Sequence, residues 1–250
     1  MKALITGASS GIGRDIAKEL SARGYDLILV ARDEEKMKQL ADEIKTNSTI
    51  ISMDLSIEEN CKELYERVKS EQIDILVNNA GFGVYGDFTE SNLDKEISMI
   101  KTNITAMHIL MKLFLKDMKK NNHGIILNVS SSAGFMPGPL MSSYYASKAY
   151  ILRLSEGVKE ELNKAKSKVQ ISVLCPGPVK TNFSKVAGVN FGMQSLSSEY
   201  VAKYTTKKML KGKFIIVPGL TMRVIRFLTK ITPNWLVSKV SYKINYTKSK

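Results

Sequence analysis

Seven runs of consecutive apolar residues mark the chain: ALIT (3–6), DLILVA (26–31), TIISM (49–53), IDILV (73–77), GIILNVS (124–130), VQISVLC (169–175) and KFIIV (213–217). They are rich in Ile, Leu and Val and do not alternate with polar residues, as strands covered on both faces require. The stretches between them are helix-length and amphipathic. In SIEENCKELYERVKS, Ser56 and Glu59 have the spacing of a capping box, and Ile57, Cys61, Leu64 and Val68 fall on one apolar stripe. Repetition of this strand–helix unit predicts an α/β fold. One doubly wound, seven-stranded parallel sheet with helices on both faces should occupy residues 1–218 as a single domain. Two segments depart from the repeat. Residues 182–197 have no clear period and several Gly and Ser, and are expected to form a mobile loop or short helices serving as a lid. Residues 219–250 read as a tail of two amphipathic helices split at Pro233.

Composition adds little to this, and charge adds more. A chain of 250 residues, 44% hydrophobic and 24% charged, is long enough to bury one large core. Cys61 and Cys175 stand far apart with no CxxC, and His108 and His123 are isolated. That speaks against a disulfide framework or a metal site and suits a reducing cytosol. MKALITG runs directly into the first strand, so no secretory leader is expected. No run of about 18 uncharged apolar residues offers a membrane span, and a cytoplasmic protein is expected. Of 37 Lys and Arg, 25 lie in residues 1–200, where they offset all 24 Asp and Glu; residues 201–250 carry 12 basic side chains and no acidic one. The net charge of +13 is therefore a property of the C-terminal fifth.

Candidate chemistry begins where the first strand ends. TGASSGIG (6–13) places Gly7, Ser9, Ser10, Gly11, Ile12 and Gly13 between a strand and the helix it opens. In such a turn backbone N–H groups and the helix dipole face an anion, and a nucleotide pyrophosphate is the expected ligand. NNAG (78–81) follows the fourth strand, Asn103 lies in MIKTNITAM, Ser130, Ser131 and Ser132 follow the fifth, and PGPVKT (176–181) follows the sixth. Strand alternation lets only some of the three serines face one site. In SSYYASKAY (142–150), Tyr144 lies four residues before Lys148 and Tyr145 lies three. On a helix both spacings bring a phenol near the ammonium, so spacing alone leaves both tyrosines open.

Taken in order and at these spacings, TGASSGIG, NNAG, Asn103, Ser131, Tyr144-x-x-x-Lys148 and PGPVKT resemble the motifs of the short-chain dehydrogenase/reductase family over about residues 1–217. The resemblance implies a Rossmann-type fold, an NAD(P)-dependent oxidoreductase, and a homodimer or homotetramer. It selects Ser131, which stands three residues before Gly134 and thirteen before Tyr144, and with it Tyr144 as the proton donor. Tyr145 stands where the family usually has a small residue, and is expected to face a neighbouring helix or a subunit interface. The resemblance further implies that the main chain of Asn103 holds a water relaying protons to Lys148, and that Asp54 faces the adenine. Asn79, Ala80 and Gly81 would pack against the cofactor. In PGPVKT, with Pro176 and Gly177, the Val179 backbone and Thr181 hydroxyl would meet the nicotinamide. Chemical need agrees. Hydride addition to a ketone leaves an oxyanion that must gain a proton, a tyrosine can give it, and a fixed lysine nearby should lower the phenol pKa toward neutrality. A serine hydroxyl would hold the carbonyl oxygen.

The second strand ends at Ala31, and where an NAD-binding fold of this kind carries an acid this chain has Arg32. A guanidinium fork pairs well with a 2′-phosphate, and Ser9 can add a hydrogen bond. NADP(H) is the expected cofactor, with NAD(H), reached through Asp33, the alternative. Phe82, Val84, Tyr85, Phe88, Phe135, Met136, Leu140 and Met141 are expected to line the substrate cleft, with no Arg or Lys among them. An apolar ketone, aldehyde or acyl-chain carbonyl fits them better than a small carboxylate. The basic tail is expected to pack on the domain or a second subunit; contact with an anionic membrane surface or an acidic carrier is the alternative. Neither a nucleic-acid partner nor a metal is expected. Two rival readings remain on the same fold: a catalytically idle nucleotide sensor, and a membrane-surface interaction protein.

Overall fold

Every one of the seven apolar runs becomes a strand of one parallel sheet. The computed structural model describes residues 1–189 and 195–247. Its first half comprises β1 (Lys2–Thr6), α1 (Gly11–Ser21), β2 (Asp26–Ala31), α2 (Glu34–Glu43), β3 (Ser48–Ser52), α3 (Glu58–Val68) and β4 (Ile75–Asn78). The second comprises α4 (Leu93–Ile100), α5 (Met107–Asn121), β5 (Ile125–Val129), α6 (Ser142–Lys164), β6 (Gln170–Leu174), β7 (Val179–Lys180), α7 (Phe183–Ala187), β8 (Leu196–Ser197), α8 (Ser198–Met209) and β9 (Ile215–Ile216). The tail forms α9 (Leu220–Ile231) and α10 (Asn234–Tyr246), separated at Pro233 as expected.

Strand order in the main sheet is β3-β2-β1-β4-β5-β6-β9, all parallel. The pleat explains why the runs do not alternate. Leu4 enters one core with Ile28, Leu64, Leu76 and Phe114, on the side of α3 and α5. Its neighbour Ile5 enters the other with Ile16, Leu29, Met37 and Val77, on the side of α1 and α2. Both residues are fully buried, so each position along β1 must be apolar. The winding reverses between β1 and β4, which sit side by side. The crevice beyond their carboxyl ends is where a doubly wound sheet takes its ligand.

Two local expectations change. The capping box at Ser56 does not form: the N-cap of α3 is Ile57, with no side-chain cap. Instead Asp54 Oδ1 accepts from the Ser56 N–H at 2.9 Å, a tight Asx turn that leaves the chain extended at Ile57. Ile57 is thereby turned into solvent at 48% exposure, while Cys61, Leu64 and Val68 remain buried. The expected lid contains α7 and is tied at its base by a two-residue pairing of β7 with β8. Residues 190–194 of that lid lie outside the described residues.

Candidate active site

The glycine turn is clamped to the end of β4. Thr6 Oγ1 donates to the Val77 carbonyl at 3.3 Å and accepts from the N–H groups of Asn79 (2.9 Å) and Ala80 (3.0 Å). Asn79 Nδ2 returns bonds to the carbonyls of Thr6 (2.9 Å) and Gly7 (3.1 Å). The fit is close enough to require glycine: a Cβ on Gly13 would lie 2.4 Å from Asn79 Nδ2. Ser10, the N-cap of α1, makes no side-chain cap. The first-turn N–H groups of α1 are thus presented at the cleft wall formed by Ser10, Gly11 and Ile12.

A cavity of about 550 Å³ runs from this turn across the carboxyl ends of β4 and β5. Of the residues expected to contact cofactor or substrate, Gly7, Ser9, Ser10, Gly11, Ile12, Arg32, Asp54, Asn79, Ala80, Gly81, Ser131, Tyr144, Lys148, Pro176, Gly177, Val179 and Thr181 all line it. Gly13 and Asn103 do not. Gly13 is the packing contact already described, and Asn103 is 1% exposed. The Asn103 side chain braces the loop after β4: Oδ1 accepts from Phe82 N at 3.0 Å, and Nδ2 donates to Phe82 O at 2.9 Å and Ser147 Oγ at 3.1 Å. Asn103 sits in a π-helical turn, Lys101–Ala106, between α4 and α5. Such turns displace the backbone ladder and are frequent at functional sites. The glycine cradle, the exposed helix terminus and the length of the cavity fit a dinucleotide.

At the far end of the cavity stand Arg32, Asp33, Lys36 and Asp54. Asp33 caps α2, accepting from Lys36 N at 3.1 Å and pairing with the Lys36 ammonium. That hydrogen bond with the Lys36 side chain is the main cause of its depressed pKa. The Arg32 side chain is 74% exposed, with only a loose 3.9 Å approach to Asp54. Lys36 is a second cation at this end, which sequence reasoning passed over because it reads as an ordinary helix-surface lysine.

Three of the side chains expected to be catalytic, Ser131, Tyr144 and Lys148, line the opposite end of the cavity. Just beyond β5, Ser130, Ser131 and Ser132 all border the cavity, but Ser130 is buried with its Oγ donating to the Lys148 carbonyl at 2.7 Å, while Ser131 is part-exposed. Ser131 caps the short 3₁₀ turn Ser132–Phe135, accepting from Ala133 N at 3.1 Å. Tyr144 is buried, with its ring 5.3 Å from that of Phe183. Burial raises the phenol pKa well above its usual value, and the hydrogen bond with Ser131 offsets part of the rise. Lys148 is 5% exposed and donates from Nζ to the Val129 carbonyl at 3.0 Å, with Nζ 5.8 Å from the Tyr144 ring centre. Burial pushes its pKa down to about 8. The expected depression of the phenol by the lysine is therefore not seen in this arrangement. Burial governs both groups, and the ammonium is directed at a carbonyl.

The substrate half of the cavity departs from expectation. Phe82, Met136 and Met141 line it, whereas Val84, Tyr85, Phe88, Phe135 and Leu140 do not. Phe88 is 68% exposed, Phe135 packs beneath Arg226, and Val84 and Tyr85 join a small core around Met99. The missing walls come from Phe183 and from the tail: Met222, Ile225, Ser241, Ile244 and Asn245. Here Tyr145 finds its place. Its ring lies over Gly138, where a Cβ would come within 2.2 Å of it, and its hydroxyl donates to Asn245 Oδ1 at 3.3 Å. Asn245 Nδ2 donates in turn to the Pro139 carbonyl at 2.9 Å. Nothing in the local sequence near Tyr145 signals a partner one hundred residues away.

A doubly wound sheet whose switch-point crevice holds a glycine turn, a serine, a tyrosine and a lysine defines the class of nucleotide-binding oxidoreductases. Residues 1–189 match the short chain dehydrogenase family, and the chain belongs to it. Among its relatives is an uncharacterized oxidoreductase of Staphylococcus epidermidis, 30% identical over 89% of this chain and 96% of that one. Another is the very-long-chain 3-oxoacyl-CoA reductase of Rattus norvegicus, 29% identical over 97% of this chain and 79% of that one. A short-chain dehydrogenase from Sphingobium yanoikuyae, solved in complex with NADPH, superimposes with a TM-score of 0.83 at 28% identity, covering 92% of this chain and 93% of that one.

Proposed function

We propose that this oxidoreductase is an NADPH-dependent carbonyl reductase acting on an apolar ketone, aldehyde or acyl-chain carbonyl. The observation that carries the reading is the meeting of Ser131, Tyr144 and Lys148 at one end of a cavity whose other end offers Arg32 and Lys36. Nicotinamide chemistry would supply the hydride for the carbonyl carbon. The Ser131 hydroxyl donates to the carbonyl oxygen, and Tyr144, held protonated by burial, gives its proton to that same oxygen as charge develops there. Lys148, with a pKa near 8, can then return a proton to the phenol through solvent in the cleft. Arg32 and Lys36 favour a 2′-phosphate, and Asp33, occupied as a helix cap, is poorly placed to hold a ribose. Relatives named for NADPH binding and for long-chain acyl carbonyls support the same reading.

On this reading the protein is cytoplasmic and works as a homodimer or homotetramer. Exposed Leu93, Ile97 and Tyr150 on the adjoining α4 and α6 are consistent with such assembly. Tyr144→Phe tests the core of the proposal. It should abolish turnover across a panel of ketones, aldehydes and 3-oxoacyl thioesters while leaving NADPH titration unchanged. A variant that keeps wild-type turnover, or a wild-type protein that oxidises NADPH with no member of the panel, would refute it.

A further inference from the structure

The tail helices are amphipathic in the wrong sense for a helix that packs on its own protein. On α9, Leu220, Val224, Phe227, Leu228 and Ile231 fall within roughly a 100° arc at 100° per residue, and that arc points to solvent. Their exposures run from 47% to 73%. The inward side of α9 is instead Met222 and Ile225. On α10 the inversion is sharper. Its buried positions are Val237, Ser241 and Asn245, two of them polar, while Trp235 is 63% exposed and Val240 is 52% exposed. Lys230 lies beside the α9 arc, and on α10 Lys239 and Lys243 fall between Trp235 and Val240 at about 100° per residue, so the outer face of that helix mixes apolar and basic side chains. Lys239 lies over the Trp235 ring at 5.3 Å, an amphipathic pair suited to a polar–apolar boundary.

We propose that α9 and α10 seat the protein on the surface of an anionic lipid bilayer, with their exposed apolar side chains at the headgroup level and Lys230, Lys239 and Lys243 against lipid phosphates. Charge selects this occupant. Residues 219–250, which form this face, hold seven basic side chains and no acidic one, so a second copy docked on the same face would oppose like charges across a twofold axis. An acidic protein would match the charge but has no need of Phe227, Ile231 and Trp235 standing in water. Among the described residues no helix is long and apolar enough to cross a membrane, so the contact is peripheral. The inner side of the same helices lines the catalytic cavity, so docking would set that cavity's tail wall against the lipid surface.

Trp235 is the one tryptophan of the chain, which makes its emission a site-specific probe. Phosphatidylglycerol vesicles should shift that emission to the blue and carry the full-length protein upward in a flotation gradient. Replacing Lys230, Lys239 and Lys243 with Gln should weaken partition to these vesicles by on the order of a hundredfold, and raised salt should do the same. Phe227→Ser with Ile231→Ser should abolish flotation while far-UV circular dichroism stays unchanged. The proposal fails if wild-type protein neither shifts nor floats, or if the variants partition as the wild type does. It fails equally if sedimentation shows a dimer that the serine variants dissociate, since the face would then belong to a second copy. None of these readouts uses turnover, so the reductase reading and the membrane reading can fail separately.

Discussion

Arg32 and Lys148 carry the residue-scale consequences. A charged hydrogen bond to a phosphate is worth about 1.5–3 kcal/mol. Arg32→Ala should therefore weaken NADPH binding by about tenfold or more while changing NADH binding by less than about threefold. Parallel fluorescence titrations of the two cofactors would check this, and an equal loss for both would remove the 2′-phosphate assignment. Lys148 makes a prediction in pH. Its folded-state pKa is pushed from 10.5 to about 8, so the folded protein releases this proton first. Between about pH 8 and 10.5 the unfolded chain binds more protons at this site, and linkage makes stability rise with pH across that window. The burial penalty is felt in full below it. Lys148→Met should thus raise Tm at neutral pH, and its advantage over the wild type should shrink toward pH 10. A difference between the two melting curves that is independent of pH would contradict the burial of a titrating ammonium.

At the scale of elements, α6 carries both chemistry and architecture. Tyr144 and Lys148 face the cleft one turn apart, and Tyr145, about 100° further round the helix, ties α6 to α10. Tyr145→Phe removes the bond to Asn245 but keeps the ring on Gly138. The expected result is a raised KM for apolar substrates with kcat within about twofold and NADPH binding unchanged; a loss of kcat instead would move Tyr145 into the proton-transfer machinery. Beneath the site a buried polar chain joins β4, β5 and α6. Asn78 Nδ2 donates to Asn128 Oδ1 at 2.9 Å, and Asn128 Nδ2 donates to Ser155 Oγ at 3.0 Å. Asn128→Ala would leave the buried Asn78 Nδ2 group without its acceptor. A destabilisation of about 1–3 kcal/mol in urea unfolding is expected; no change would mean that the chain contributes only order.

For the whole molecule, the tail is part of the cavity wall and not an appendage to the sheet domain. Met222 and Ile225 from α9 and Ile244 and Asn245 from α10 close the side of the cavity that residues 1–218 leave open. The seven strands were legible in the sequence because a parallel sheet buried on both faces demands unbroken apolar runs, and few other structures do. The cofactor half of the site was legible for a related reason. A glycine turn packed this closely on Asn79, Ala80 and Thr181 excludes side chains, and Gly7, Gly11 and Gly13 record that exclusion in the order of the residues. The substrate half was not legible. Val84, Tyr85, Phe135 and Leu140 have the composition of a cleft wall, but apolar side chains are interchangeable between wall and core until neighbours are known.

The amino-acid order by itself therefore determined the strand–helix repeat, the glycine turn and the family, all of which rest on short-range spacing and on covalent geometry. It left Tyr144 and Tyr145 equivalent by helix spacing, and only registration against Ser131 and Gly134 chose between them. Tertiary structure decided what sequence neighbours could not. It bonded Ser130 to the Lys148 carbonyl and left Ser131 part-exposed at the cleft, set burial rather than a neighbouring charge in control of the Tyr144 and Lys148 protons, and faced the apolar arc of α9 and Trp235 of α10 to solvent. The physical reason is common to all three. Burial and contact are properties of surfaces that meet across the fold, and a helix's pattern states which side is apolar without stating what that side will meet.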